Sequence, residues 1–194
     1  MANIDAPFGL KPITRDGAAG YTGAVREYII AAAEATDLFV GDPVNLGGTS
    51  ILDLVDGKTK PTVVRATAGS GNYITGVIVD FKPITDKSLR YKTDATLQRT
   101  VLVSDDPMQL YEIQADGSVA LTDVGETADI IFTHAGATAT GFSGAELDTS
   151  DIGTGSQLVI EGVRDQDRND LSSANPVLVV RISEHQKLNT STGV

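Results

Sequence analysis

The chain of 194 residues contains no cysteine and no tryptophan, and only two histidines, His134 and His185. Without thiols there is no disulfide framework, thiolate zinc site, iron–sulfur cluster or cysteine nucleophile. Aromatic residues make up 5% of the sequence, too few for a base-stacking surface, and no apolar run reaches the roughly 18 residues of a membrane-crossing helix. Basic residues are scarce as well: 15 Lys and Arg stand against 26 Asp and Glu, a formal net charge of -11. That balance opposes phosphate backbones and anionic lipid, so neither nucleic acid nor a membrane is expected as a partner. Met1 to Phe8 shows no basic stretch followed by an apolar one, which predicts no secretory signal and synthesis in a cytoplasm.

What is present is enough apolar residue, 41%, to bury a core. Period-2 alternation with β-branched residues runs through Gln98–Val103, Gln109–Gln114, Asp129–Thr133, Gln157–Val163 and Val177–Ile182, and each segment reads as a strand. Tyr73–Phe81 reads the same way, with Gly76 marking a bulge or a close approach and Pro83 ending it. Ala24–Thr36 mixes Ala-rich helical propensity with Val25, Tyr28, Ile29 and Ile30; lacking an N-cap, it is assigned to strand, and Leu38–Val44 to a second short strand turning at Gly41-Asp42-Pro43. Asp-Gly pairs at Asp16-Gly17, Asp56-Gly57 and Asp116-Gly117 punctuate the pattern, the last predicting a hairpin between Tyr111–Gln114 and Val119–Leu121. No segment sustains a helical apolar period. The fold class expected is mainly β, a sandwich, jelly roll or barrel, with one body over residues 21–187 and long exposed loops at 135–156. Residues 1–20 read as an extended N-terminal arm, with Phe8 and Leu10 bracketed by Pro7 and Pro12, and residues 188–194 as a flexible tail.

No catalytic set assembles from this pattern. Asp165–Asp170 opens like a calcium loop, but Asp170 stands where that loop needs glycine and Pro176 where it needs glutamate. Gly141-Phe142-Ser143-Gly144-Ala145 matches a nucleophile elbow only in part and lies outside a strand-to-helix turn. Asp105-Asp106 offers adjacent carboxylates for acid/base work, yet Pro107 makes a turn the better reading. Both histidines read as structural. A non-enzymatic protein with no cofactor and no metal is expected.

Charge is unevenly placed. Residues 101–170 hold 14 acidic and 2 basic residues, whereas 61–100 hold 3 acidic and 6 basic (Arg65, Lys82, Lys87, Arg90, Lys92, Arg99). This predicts an acidic solvent face and a more basic face for a partner.

The segment Val103-Ser104-Asp105-Asp106-Pro107-Met108-Gln109-Leu110-Tyr111-Glu112-Ile113-Gln114-Ala115-Asp116-Gly117 resembles a family of tailed-bacteriophage virion structural proteins, the head decoration or cement type. The resemblance extends to Ala6–Pro12, Gly41–Val44, Gly76-Val77, Thr140–Gly144 with Leu147-Asp148, Leu158–Ile160, and Val180–Ile182 with His185, and so covers most of the chain. It implies a β-sandwich body with extended termini, commonly a homotrimer. Such a protein sits on the capsid exterior and bridges subunits of the major capsid protein. A tail-tube or head-tail connector subunit is the alternative. Phe8, Leu10, Lys11, Lys87, Arg90 and Lys92 are the candidate capsid contacts, and the arm would insert Phe8 and Leu10 into a neighbour.

Overall fold

The computed structural model describes residues 3–16, 23–85, 89–93, 95–165 and 169–188. Along the chain its strands are β1 (Lys11–Arg15), β2 (Arg26–Ile30), β3 (Leu38–Phe39), β4 (Pro43–Leu52), β5 (Thr59–Arg65), β6 (Gly76–Phe81), β7 (Tyr91–Lys92), β8 (Arg99–Ser104), β9 (Gln109–Gln114), β10 (Thr127–Ala128), β11 (Ile130–Ile131), β12 (Glu146–Leu147), β13 (Leu158–Val163) and β14 (Val177–Ile182). Two single-turn 3-10 helices, Leu121–Asp123 and Thr149–Asp151, are the only helical elements among the described residues. The mainly β expectation holds, in two parts.

The first part is a closed barrel in the order β2-β5-β4-β6-β8. All its pairings are antiparallel except the one between β2 and β5. Alternation explains the interior: Tyr28 and Ile30 on β2, and Val101 and Val103 on β8, point inward to meet Val44, Val63 and Ile78. The second part is a five-stranded sheet, β1-β9-β14-β13-β10. Tyr111 and Ile113 on β9, Leu178, Val180 and Ile182 on β14, and Leu158 and Ile160 on β13 bury the same face. The two parts are stapled together. Ile74 N–H donates to Glu184 O and Gln186 N–H to Ile74 O, both at 2.9 Å, and the Tyr111 hydroxyl donates to Ser104 O at 3.1 Å. Gly76 marks a close approach, as expected: a Cβ there would lie 2.3 Å from Ser104 O.

Three expectations are corrected. The N-terminal segment is not an arm outside the body. β1 is the edge strand paired antiparallel to β9, and Leu10, 1% exposed, belongs to the sheet core. The segment is held because Gly9 (φ +73°) and Gly41 (φ +95°) let two backbones touch: Leu10 N–H donates to Gly41 O at 2.9 Å, and a Cβ on Gly9 would lie 2.4 Å from that same oxygen. The Asp116-Gly117 hairpin does not form either. β9 pairs with β1 and β14, and Asp116 instead accepts from the Thr149 N–H and hydroxyl, with Gly117 packed against Thr149. Finally, 135–156 is not a run of exposed loops, since Ser143–Leu147 is buried and β12 pairs with β11. The proposed tail begins at Leu188, and 189–194 lie outside the described residues.

Candidate functional site

A cleft of about 480 Å³ opens where the barrel meets the sheet. Its floor is apolar: Phe8 and Leu10 from the N-terminal segment, Val40 and Gly41 from the turn before β4, Ile78 and Val79 from β6, and Phe142. Phe142 reaches this place through an isolated bridge to Val40, with Val40 N–H donating to Gly141 O at 3.0 Å and Ser143 N–H donating to Val40 O at 2.8 Å. The charged lining is Lys11, Arg90 and Arg164 with one carboxylate, Glu112, so cations outnumber acids at the rim. Arg164 Nε lies 3.1 Å from Glu112 Oε1, and Lys11 Nζ lies 3.7 Å from Glu112 Oε2. One carboxylate thus serves two cations. Arg90, exposed, pairs with Asp80 at 3.1 Å. In a chain of net charge -11, this is a locally basic mouth over an apolar floor.

Of the six candidate contact residues, the structure brings Phe8, Leu10, Lys11 and Arg90 to this one cleft. Leu10 forms floor, not an insertable side chain. Lys92 is excluded as a surface contact, because it is 3% exposed and its ammonium donates to Glu34 O at 2.7 Å. Lys87 lies outside the described residues. The expected basic face of 61–100 is largely absorbed within the chain: Arg65 lies over the Phe132 ring, Lys82 pairs with Glu27 at 2.6 Å, and Arg99 is buried over Phe81. Phe142, Arg164 and Glu112 are not among the contact residues expected from the sequence. They come from three distant segments, and only the junction of barrel and sheet assembles them.

Behind the cleft, Asp42 is buried. Phe39 N–H donates to its Oδ2 at 2.7 Å and the Ser143 hydroxyl donates to its Oδ1. Burial pushes the Asp42 carboxyl up to about 6, against the pull of those two donors. Ser143 also accepts from Ala145 N–H at 3.0 Å, so its bonds hold the turn together. The adjacent acids do not act as a pair. Asp105 gathers Lys187, the Tyr28 hydroxyl at 2.7 Å and Arg26 at 3.6 Å, while Asp106 pairs with Arg15 at 2.9 Å and caps the turn at Met108 N–H. Residues 166–168 of the calcium-like run lie outside the described residues, and Asp170 accepts from the Ser172 N–H and hydroxyl.

Among the described residues, two acidic clusters, one of them with a histidine, have ligand-like spacing. In the first, Glu27, Asp53 and Asp56, the Lys60 ammonium already occupies the centre, 2.6 Å from Glu27 and 2.7 Å from Asp56 and bonded to Asp53. Burial works against charge on Asp53 and Lys60, but their mutual bonds win, holding the carboxyl well below its usual range and the ammonium above its own. In the second, His134 bridges two acids: Nδ1 lies 2.7 Å from Glu146 Oε2 and Nε2 lies 3.8 Å from Asp5 Oδ2. The Glu146 bond raises the imidazole pKa. His185 is buried, its Nδ1 accepting from Lys187 N–H at 3.1 Å, and burial pushes it down to about 4.

No protein-family model, curated protein or solved structure matches the chain.

Proposed function

We propose that the chain is a non-enzymatic virion structural protein of the decoration type, which attaches to the exterior of a phage capsid and bridges major capsid protein subunits through the cleft between its barrel and its sheet. The observation that carries this reading is the convergence of Phe8, Lys11 and Arg90, singled out as contacts from the sequence, on one apolar cleft with a cationic rim. An extended segment of a capsid subunit bearing an apolar side chain flanked by carboxylates suits such a cleft. Weak contacts repeated over many copies would stabilise the shell by avidity. The family resemblance supplies the capsid as partner and makes association with further copies of the chain an expectation.

The test is co-sedimentation with cognate capsid shells. Lys11→Glu and Arg90→Glu, both at exposed side chains, should each weaken attachment about tenfold, and wild-type attachment should fall as salt rises. Attachment unchanged by both substitutions and by salt would overturn the cleft as the contact. Binding to tails in place of shells would move the chain to the tail-tube or connector role.

A further inference from the structure

Three groups that the proposed function leaves unused meet beside the N-terminal segment. The His134 imidazole lies between the carboxylates of Asp5 and Glu146, and one ligand atom from each residue lies within 4.8 Å of the other two. One imidazole and two carboxylates are donors of the kind found in zinc sites that keep a fourth position for water. Donors on a tetrahedral zinc stand about 3.3 Å apart. The separations here bracket that value, at 2.7 Å from Nδ1 to Glu146 and 3.8 Å from Nε2 to Asp5. Sequence spacing gave no sign of the set, because Asp5 joins the other two only through the docking of the N-terminal segment.

The backbone holds each of the three in place. Asp5 sits between two bonds to one side chain: Gln114 Nε2 donates to Ile4 O at 2.8 Å, and Ala6 N–H donates to Gln114 Oε1 at 2.9 Å. Glu146 belongs to β12, opposite Ile131 of β11. His134 lies on the connection between those strands, so close to Gly144 that a Cβ there would lie 2.4 Å from His134 O. The imidazole and Asp5 are half-exposed, and rotation of these two side chains supplies the adjustment of about half an ångström that a metal bond requires. Glu146 is different: it is 1% exposed, its Oε2 accepts from the Thr133 hydroxyl at 2.8 Å and faces the imidazole, and its buried Oε1 has no hydrogen-bond partner. A buried carboxylate with an unanswered oxygen calls for a cation. The Glu27 cluster has its cation in Lys60, but among the described residues neither Asp5 nor Glu146 pairs with a lysine or arginine.

We infer that Asp5, His134 and Glu146 form a binding site for a zinc-like divalent cation, which ties the N-terminal segment to the β11–β12 pair. The imidazole selects for zinc over calcium and magnesium, which take oxygen ligands. None of the three residues lines the cleft, and the inference does not rest on the capsid reading.

The experiment is calorimetric titration of the full, untagged chain with zinc chloride, after passage over chelating resin. The background is low, since the sequence has no cysteine and its one other histidine, His185, is buried. Wild type should bind one zinc per chain and melt several degrees higher with zinc than without it. Asp5→Asn and His134→Gln, both at half-exposed side chains, should each weaken binding at least ~10-fold and abolish the zinc-dependent rise in melting, with circular dichroism matching wild type. Asp56→Asn, in the cluster that Lys60 fills, should bind zinc as wild type does. Wild type that takes up no zinc at roughly 100 μM would overturn the inference. So would zinc bound equally by wild type, Asp5→Asn and His134→Gln, or zinc displaced by an equal concentration of calcium. Attachment of zinc-free protein to capsids would leave the capsid reading standing in each case.

Discussion

The Ser143 hydroxyl donates to Asp42 Oδ1 from 101 residues further along the chain, fastening the turn that carries Phe142 to the turn that begins β4. The carboxyl so held is buried and has its pKa raised from 3.8 to about 6. A carboxyl raised in the folded state favours folding most when protonated. Its contribution is full below about pH 4 and is lost as pH rises through about 6. Asp42→Asn keeps an acceptor for Phe39 N–H and offers a donor to the Ser143 oxygen. Relative to wild type, the variant should therefore gain about 2 kcal/mol between pH 4 and pH 7, read from paired urea titrations. A difference that stays flat with pH would show that Asp42 does not titrate in this range.

His185 works in the opposite direction. Its pKa is lowered from 6.5 to about 4, so its contribution is complete above pH 6.5 and drains away as pH falls toward 4. His185→Asn retains an oxygen able to accept from Lys187 N–H, in the manner of an Asx turn, and cannot titrate. Wild type should lose about 2 kcal/mol relative to this variant between pH 7 and pH 5, seen as diverging melting temperatures. Parallel curves would refute it.

Glycine at position 9 is required twice over, by φ of +73° and by the backbone beneath it. Gly9→Ala should destabilise the protein by about 2–4 kcal/mol. Gly23→Ala, also at positive φ (+75°) but with nothing within 4 Å of the added Cβ, should cost only about 1 kcal/mol. Deleting residues 1–14 should unfold the sheet, because it removes Leu10 and most of β1. A truncated chain with wild-type circular dichroism and melting would contradict that.

Replacing Lys60 by Met strands a buried Asp53 and removes the ammonium beside Asp56, while Glu27 keeps its pair with Lys82. The expected loss is about 2–4 kcal/mol at pH 7, below that of a fully buried pair because Glu27 and Asp56 reach solvent. Because Asp53 is held below its usual range, the wild-type advantage should be present above the ordinary carboxylate pKa and shrink as pH falls below it. Equal stability of the two proteins at pH 7 would argue against the hub.

How much of this was legible in the sequence follows from where each signal lies. β9 and β14 match the sequence expectation residue for residue, because each carries its own period of apolar residues: β14 buries every second residue, and β9 sends Tyr111 and Ile113 to the core. β2 was legible through Tyr28 and Ile30, while the Ala-rich continuation is a turn closed by Glu34 N–H on Ala31 O. β1 carries only five residues and shows no alternation in exposure. Its place comes from contact between Gly9 and Gly41, which no local pattern encodes. Asp116-Gly117 has hairpin composition, yet its glycine serves the approach of Thr149, a partner 32 positions away. Lys92 looked like a surface cation because burial of an ammonium depends on Glu34, on another strand connection. The cleft was half visible: its candidates on the N-terminal segment stood out by composition, whereas Phe142 and Arg164 gain meaning only when barrel and sheet meet.

The barrel lies wholly between two strands that are neighbours in the sheet. Lys11 opposes Glu112, 101 positions later, but Arg26 opposes Val103 within the barrel. Once the barrel has closed, the span still to be joined shrinks from about a hundred residues to about two dozen, which lowers the entropic barrier to pairing β1 with β9 by about 1 kcal/mol. Folding therefore has a preferred order. Every strand of the barrel is present once residue 104 has left the ribosome, whereas the sheet waits for β14, so a newly made chain can close its barrel before its cleft exists.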